Sequence, residues 1–268
     1  MREEIIGTAV EHVSRVVLDA LARGDAPTPD ALRLLLRGYA STGRDDFRDA
    51  LETGLAGALE LAADSPSDAS PRWLVLFAEA AEASDDERLR EVSSNLAAKA
   101  RTIWGATRSL GLTAASIDAC LRANLDVQGA VDELERVVGA AYEPGEGING
   151  TLDDEIAVAG MLLTAFLVTG RLPYAMLAEE LVQHARRPLL AAADLAFELG
   201  CHASAVLSRM AALHQDEGYR TAAIIAPGAD YATDAAGILE RLAEGAPGQG
   251  LAGAVYGLAA GELQSSLP

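Results

Sequence analysis

Carboxylates, one histidine and one tryptophan occur where the sequence predicts that helices begin. These residues are Asp30, Trp73, Asp153, Asp154, Glu155, His202 and Asp234. Glycosidic bond cleavage needs two carboxylates about 5 to 9.5 Å apart, so the cluster from Asp153 to Glu155 could supply a general acid or base. Acidic residues also stabilise the first turn of any helix. Capping after Thr151 is therefore the favoured interpretation of this cluster, and catalysis the alternative.

His202 and Cys201 lie together at the start of another predicted helix. An imidazole at this place could shuttle a proton. The remaining histidines, His12, His184 and His214, are expected on outer helices or turns, which leaves His202 without an obvious partner and favours an incidental role. No base is fixed beside Cys201, so a buried apolar thiol is favoured over a nucleophile.

Metal and nucleotide motifs are missing from the sequence. It contains no HExxH, HxH, CxxC or calcium-loop pattern, and no GxxxxGK[ST] phosphate loop. The glycine-rich segment that starts at Gly245 lies between two predicted helices, which favours an ordinary loop. We therefore predict neither a metal nor a cofactor.

Composition restricts the class of protein. Half of the 268 residues are hydrophobic and the formal net charge is −19, which predicts a buried core and repulsion of nucleic acid and anionic membranes. Two separated cysteines, Cys120 and Cys201, and an acidic opening segment favour a cytoplasmic protein. Aromatic residues make up only 4%, few for a carbohydrate cleft.

A repeated turn indicates how the helices are organised. The segment TGRDDFRDALE from Thr42 matches TGRLPYAMLAE from Thr169, with Phe47 and Tyr174 at the sixth place. A looser copy places Tyr219 about 45 residues after Tyr174. This spacing is typical of a helical hairpin, the unit that stacks into solenoids or closes into rings.

The two helices of a hairpin differ in pattern. The segment IAVAGMLLTAFLV is apolar on every side, as expected for an inner layer, whereas the helix that follows Tyr174 has one apolar stripe, as expected for an outer layer. We predict one all-α domain over residues 1–268, an (α/α) toroid of about six hairpins. Pairing of residues 3–23 with 249–263 would close the ring. The alternative is an open right-handed solenoid of the tetratricopeptide kind, with its termini far apart.

Two segments carry a resemblance to known proteins. DDEIAVAGMLLTAFLVTGRLPYAMLAEELV and CHASAVLSRMAALHQDEGYRTAA resemble the α/α-toroid proteins of the six-hairpin glycosidase type. They are most similar to the C-terminal helical domain of thioredoxin-domain proteins related to the spermatogenesis-associated group, and less similar to N-acylglucosamine 2-epimerases. The resemblance is strongest over residues 150–225. This chain has no CxxC and no thioredoxin half, so the resemblance covers the helical part only.

The resemblance implies a carbohydrate-related protein. We favour a non-catalytic binding or scaffold relative, because aromatics are few and no second catalytic residue is evident. The alternative is a hydrolase or epimerase that uses acid–base residues at the inner-helix rim. Its catalytic candidates would be Asp153, Glu155 and His202, and its ligand-binding candidates Asp30, Trp73, Asp154 and Asp234. The expected partner is a neutral polar small molecule such as a sugar, or a protein.

Overall fold

Helices account for almost all regular structure in the computed structural model, which describes residues 2–106 and 109–266. The α-helices there are α1 (Arg2–Ala22), α2 (Pro29–Thr42), α3 (Asp45–Asp64), α4 (Ser70–Ser84), α5 (Glu87–Arg101), α6 (Leu110–Arg122), α7 (Val127–Ala141), α8 (Leu152–Thr169), α9 (Leu172–Ala191), α10 (Phe197–Leu213), α11 (Glu217–Ala222), α12 (Tyr231–Leu242) and α13 (Ala254–Ser265). A 3₁₀ helix (Pro247–Gly253) precedes α13.

One short hairpin is an element that the sequence did not require. The strands β1 (Tyr142–Glu143) and β2 (Gly147–Ile148) pair antiparallel, with Tyr142 opposite Ile148. Gly145 and Gly147 between and within them have φ values of 80° and 85°, which glycine adopts at little cost. The hairpin leads the chain from α7 into α8.

Six helices form a closed inner ring. Each contacts the next in the order α2, α4, α6, α8, α10 and α13, and α13 packs back against α2. The structure is therefore the predicted all-α toroid, and the open-solenoid alternative is wrong. We refer to the space enclosed by these six helices as the lumen.

The remaining long helices wrap the ring as an outer layer. Helices α3, α5, α7, α9 and α12 each pack against an inner helix, and α1 fills the last outer place by contacting α13, α3 and α12. The first and last helices thus make one hairpin, as the sequence predicted. An ion pair between Arg2 and Glu240 at 2.7 Å also joins α1 to α12.

The repeated turn ends an inner helix and starts an outer one. Gly43 and Gly170 have φ values of 67° and 68°, and their N–H groups donate to the last turns of α2 and α8, an arrangement that favours glycine. The arginine that follows stacks on the aromatic three residues later: Arg44 lies 4.1 Å from the ring centroid of Phe47. Phe47 is buried, as are Tyr174 and Tyr219, so the aromatics of the repeated turns belong to the core.

Burial explains the two layers. Helix α8 is buried along most of its length, including Ile156, Val158 and Leu162, because it packs against both ring neighbours and α9. Cys120 and Cys201 are free and buried, and burial raises the pKa of each thiol to about 12. Within the described ranges no helix is long and apolar enough to cross a membrane.

Candidate functional site

The inner helices all point the same way, so the lumen has two different ends. The first turns of α2, α4 and α10 line one cavity together with the 3₁₀ helix. The last turns of α4, α6, α8, α10 and α13 line another. We call these ends the N-terminal mouth and the C-terminal mouth. Helix N-termini present N–H groups and partial positive charge at the first of them.

Asp154 is fixed at the N-terminal mouth by several donors. It forms a capping box with Thr151, whose N–H and Oγ1 lie 2.9 and 2.8 Å from Oδ2. The N–H of Gly111, at the start of α6, donates to Oδ1 at 2.6 Å. A Cβ at Gly111 would lie 2.9 Å from Oδ1, so a side chain there would crowd this contact. Capping therefore accounts for Asp154, as predicted, and also ties α8 to α6.

Asp153 has a different environment from its neighbour. It is exposed in the first turn of α8. In the part of the chain that the structure describes, it makes no hydrogen bond or ion pair. Its charge nevertheless acts on His202 of α10, where desolvation lowers the pKa of the imidazole and Asp153 partly opposes that shift. Asp153 is thus a carboxylate that lies near charged residues at the mouth and forms no hydrogen bond or ion pair with the described ones.

His202 lies near the start of α10, within electrostatic reach of Arg72 and Glu198 at the N-terminal mouth. Its side chain is exposed to solvent, yet the surrounding protein is dense enough that desolvation, followed by repulsion from Arg72, lowers the pKa of the imidazole. Three carboxylates act in the opposite direction, namely Glu198, Asp30 and Asp153. A lowered pKa keeps His202 neutral at pH 7, the form that accepts a proton.

Arg72 crosses the N-terminal mouth. Its guanidinium donates to Oδ2 of Asp30 at 3.2 Å and to Oε1 of Glu198. These carboxylates belong to α2 and α10, and α10 lies opposite α4 in the ring, so the contact with Glu198 spans the opening. Burial raises the pKa of Glu198, but the hydrogen bond from Arg72 outweighs it and lowers the pKa overall.

Sequence reasoning missed Arg72 and Glu198, although a signal for Glu198 was present. Glu198 lies in the first turn of an inner helix, four residues before His202. Residues four apart share one face of a helix. The same argument that selected His202 therefore also places Glu198 at the mouth.

A cavity of about 390 Å³ lies beside this bridge. Trp73, Phe197 and Gln249 contribute to its wall along with Asp30 and Glu198. Trp73 stacks on Phe77 with ring centroids 6.0 Å apart and is only 6% exposed, so it offers little of its ring to a ligand. The wall combines carboxylates and an amide with aromatic surface, as small-molecule sites do.

Two candidate residues lie away from the mouth. Glu155 is 4% exposed and its Oε1 lies 2.7 Å from Nδ1 of His184, so it faces the outer helix α9. A helix turns about 100° per residue, which directs Asp153 and Glu155 to roughly opposite sides. Asp234 belongs to the outer helix α12, where it accepts a hydrogen bond from Arg186 of α9.

Metal binding finds no support in the described side chains. Across residues 2–106 and 109–266, no group of three or more histidine, cysteine, aspartate or glutamate residues is arranged to hold a metal ion. The carboxylates of the mouth are paired with Arg72 or with helix N–H groups, or they face solvent.

Comparison with known proteins reveals a shared fold. No family model and no curated protein matches the chain. Two solved structures of an α-1,6-mannanase, GH76A of Salegentibacter sp. HEL1_6, cover 99% of this chain and 99% of their own, with a TM-score of 0.65 and 12% identity. One is an inactive variant with two consecutive aspartates replaced by alanine, in complex with α-1,6-mannotetrose.

The matches establish the six-hairpin glycosidase-like toroid and correct one prediction. At 12% identity they show the fold alone, and the finer resemblance to thioredoxin-domain proteins and epimerases is not shown. The prediction of a non-catalytic binding or scaffold protein is wrong, because both neighbours are mannanase structures. The carbohydrate hydrolase alternative agrees better with this finding.

Proposed function

We propose that this chain is a glycoside hydrolase that cleaves an α-linked oligosaccharide at the N-terminal mouth, with Asp153 as general acid or base. One observation carries the proposal. The consecutive aspartates Asp153 and Asp154 begin an inner helix of the toroid, and a mannanase with this fold is inactive when two consecutive aspartates are replaced.

The position of the pair distinguishes it from similar pairs. Consecutive aspartates begin at positions 45, 85 and 153 of the sequence. The first two pairs lie at the starts of the outer helices α3 and α5, where nearby arginines pair with each carboxylate. The third lies on an inner helix at the N-terminal mouth. Its position favours chemistry in the lumen.

The two aspartates of this pair have separate tasks in the proposed site. Asp154, held by Thr151 and Gly111, fixes the start of α8. Asp153 is free to transfer a proton to or from a bound sugar. Glycosidic cleavage needs a second carboxylate, and Glu198, which Arg72 keeps ionised, faces the same mouth.

A neutral sugar suits this site better than an anion. The carboxylates of Asp30 and Glu198 accept hydrogen bonds from hydroxyl groups and repel anions. Phe197 and the edge of Trp73 provide apolar surface for a sugar ring. α-1,6-Mannotetraose, the ligand bound to the structural neighbour, is the first substrate to test.

The test is hydrolysis of α-1,6-mannotetraose by the wild type and by matched variants. Asp153→Asn should lower kcat by about 10²- to 10⁴-fold, the usual contribution of general acid–base catalysis, with an unchanged melting temperature. Asp85→Asn makes the same chemical change at a consecutive pair on the outer layer, and should retain full activity. Hydrolysis by Asp153→Asn at the wild-type rate would contradict the role of Asp153. An inactive wild type across a panel of α-linked glycans would contradict the proposed function itself.

A further inference from the structure

The C-terminal mouth contains a cavity of about 1140 Å³ that the proposed hydrolase site does not use. Arg122, Thr164 and Arg209 contribute to its polar interior, and Leu167 and Val168 at the end of α8 contribute an apolar lip. Leu167 is 72% exposed and Val168 41%. Large apolar side chains so exposed beside a polar cavity suggest a ligand with both characters.

A set of charged residues crosses the lumen just inside this cavity. We call it the charged belt, and it consists of Arg33, Arg37, Glu79, Asp118, Arg122, Arg209 and Glu262. Arg33 and Arg37 both bind Glu79, at 2.8 and 2.9 Å, and Arg37 also binds Glu262 at 2.7 Å. Arg122 binds Asp118 at 2.6 Å. The belt holds four guanidinium groups and three carboxylates, and Asp30, 3.7 Å from Arg33, supplies a fourth carboxylate, so the charges balance.

Arg209 is the member of the belt that has no carboxylate partner among residues 2–106 and 109–266. Its guanidinium donates to the carbonyl oxygen of Gly160 at 3.0 Å and to Oγ1 of Thr164 at 2.8 Å. Burial, and then repulsion from Arg122, lower the pKa of Arg209 to about 10. The side chain therefore remains a cation at neutral pH, with N–H donors to spare.

Asp118 and Glu262 attract Arg209 from beyond ion-pair distance, and an anion that reaches its free N–H groups forms strong charge-assisted hydrogen bonds. Because the charges of the belt balance, a monoanion meets less repulsion from Glu79 and Glu262 than a phosphate dianion does. At the lip, Glu82 is exposed to water, which weakens its repulsion.

We propose that the C-terminal mouth binds an amphiphilic monocarboxylate, with its carboxylate on Arg209 and its apolar tail on Leu167 and Val168. This site lies at the opposite end of the lumen from Asp153. The monocarboxylate site is therefore independent of the proposed hydrolase reaction, and evidence against one proposal leaves the other unaffected.

Hexanoate tests the proposal, with acetate and hexanol as partial probes that lack the tail or the charge. Isothermal titration calorimetry of the full chain should give at least tenfold tighter binding for hexanoate than for either partial probe. Arg209→Gln should reduce hexanoate affinity to that of hexanol, and Leu167→Gln should reduce it toward that of acetate. Arg136→Gln, which changes an exposed arginine of the outer helix α7 that pairs with Glu133, should leave it unchanged.

Each contrary outcome overturns the proposal. Absence of hexanoate binding, equal affinity for hexanoate and acetate, or unchanged binding in Arg209→Gln would each do so. If Arg209→Gln fails to fold, Arg209→Lys keeps the charge but loses the planar donor pair, and a tenfold loss is expected. Leu167→Gln alters only a solvent-facing side chain, so the contribution of the tail remains measurable in any case.

Discussion

The two ends of the lumen use charged residues in different ways. In the charged belt, Arg37 links α2 to Glu79 on α4 and to Glu262 on α13, so that its ion pairs join neighbouring inner helices. At the N-terminal mouth, Asp153 is exposed and has no partner among residues 2–106 and 109–266, and Arg72 reaches across the opening in contacts that are about half exposed. The belt therefore stabilises the ring, while the mouth leaves a carboxylate available. Such uncommitted groups are typical of functional sites.

Removing a carboxylate from the belt should produce the largest loss of stability. Glu79→Gln leaves Arg33 and Arg37 without their shared partner. Removing one member of a buried pair costs about 3 to 5 kcal/mol, and we expect the lower end because the side chain of Glu79 is 26% exposed. Asp153→Asn should change the free energy of unfolding by less than about 0.5 kcal/mol, as exposed substitutions do. Urea denaturation measures the free energy of unfolding of both variants. Similar losses would contradict the idea that the belt stabilises the ring and the mouth does not.

Acid should remove the contribution of Glu79 to the stability of the belt. Burial raises the pKa of Glu79, but attraction to Arg33 and Arg37 outweighs it and lowers the pKa to about 2, from 4.5. A lowered folded-state pKa gives stability that is complete above pH 4.5 and disappears as the pH falls toward 2. The difference in unfolding free energy between wild type and Glu79→Gln should therefore shrink between pH 5 and pH 3. A constant difference would show that Glu79 acts through packing and not through charge.

Breaking the bridge across the mouth should affect stability only slightly. Arg72→Ala removes contacts to Asp30 and Glu198 in which the arginine side chain is about half exposed. Exposed ion pairs contribute about 0 to 1 kcal/mol and weaken with salt. We expect a loss below about 1 kcal/mol in low salt that fades in high salt, measured by urea denaturation at both ionic strengths. A salt-independent loss of several kcal/mol would make the bridge a structural element like the belt.

The smallest expected effect is that of His202. Because desolvation by the surrounding protein lowers the folded-state pKa of this imidazole, protonation favours the unfolded chain as the pH falls below about 6.5. The wild type should lose slightly more stability than His202→Gln between pH 7.5 and pH 5.5. Thermal unfolding of both proteins at these two pH values measures this difference in stability. The opposite sign would mean that the surrounding carboxylates outweigh burial.

Local signals were sufficient to predict the fold. The turn glycines Gly43 and Gly170 and the aromatics Phe47 and Tyr174 make their defining contacts within a few residues. The distribution of apolar residues alone assigned α8 to the inner layer and α9 to the outer layer. The site was harder to predict, because Arg72 meets Glu198 across 126 residues and Arg37 meets Glu262 across 225. Spacing along one helix cannot reveal a partner on the opposite side of a ring.

Helical rotation also limited the prediction of the site. Treating Asp153 to Glu155 as one cluster ignored the turn of the helix, which separates Asp153 from Glu155 by about 200°. On α10, the same rotation places Glu198, His202 and Arg209 on one face, with contacts at both ends of the lumen. Projecting each apolar helix at about 100° per residue would have shown the members of the charged belt as charged residues within otherwise apolar faces.

The hairpin made by α1 and α13 has a consequence for how the chain folds. Its two helices are separated by more than 230 residues, whereas the other long hairpins join helices that follow one another directly, apart from α10 and α12, which have only the short α11 between them. Contacts of large sequence separation form late, because loop closure must precede them. During synthesis α1 therefore cannot form its contacts with α13 until α13 has been made. The inner ring also remains incomplete between α10 and α2 until that point. A circular permutant that begins at α2 and runs from α13 directly into α1 would convert this late contact into a local one, and should refold faster than the natural order of the chain.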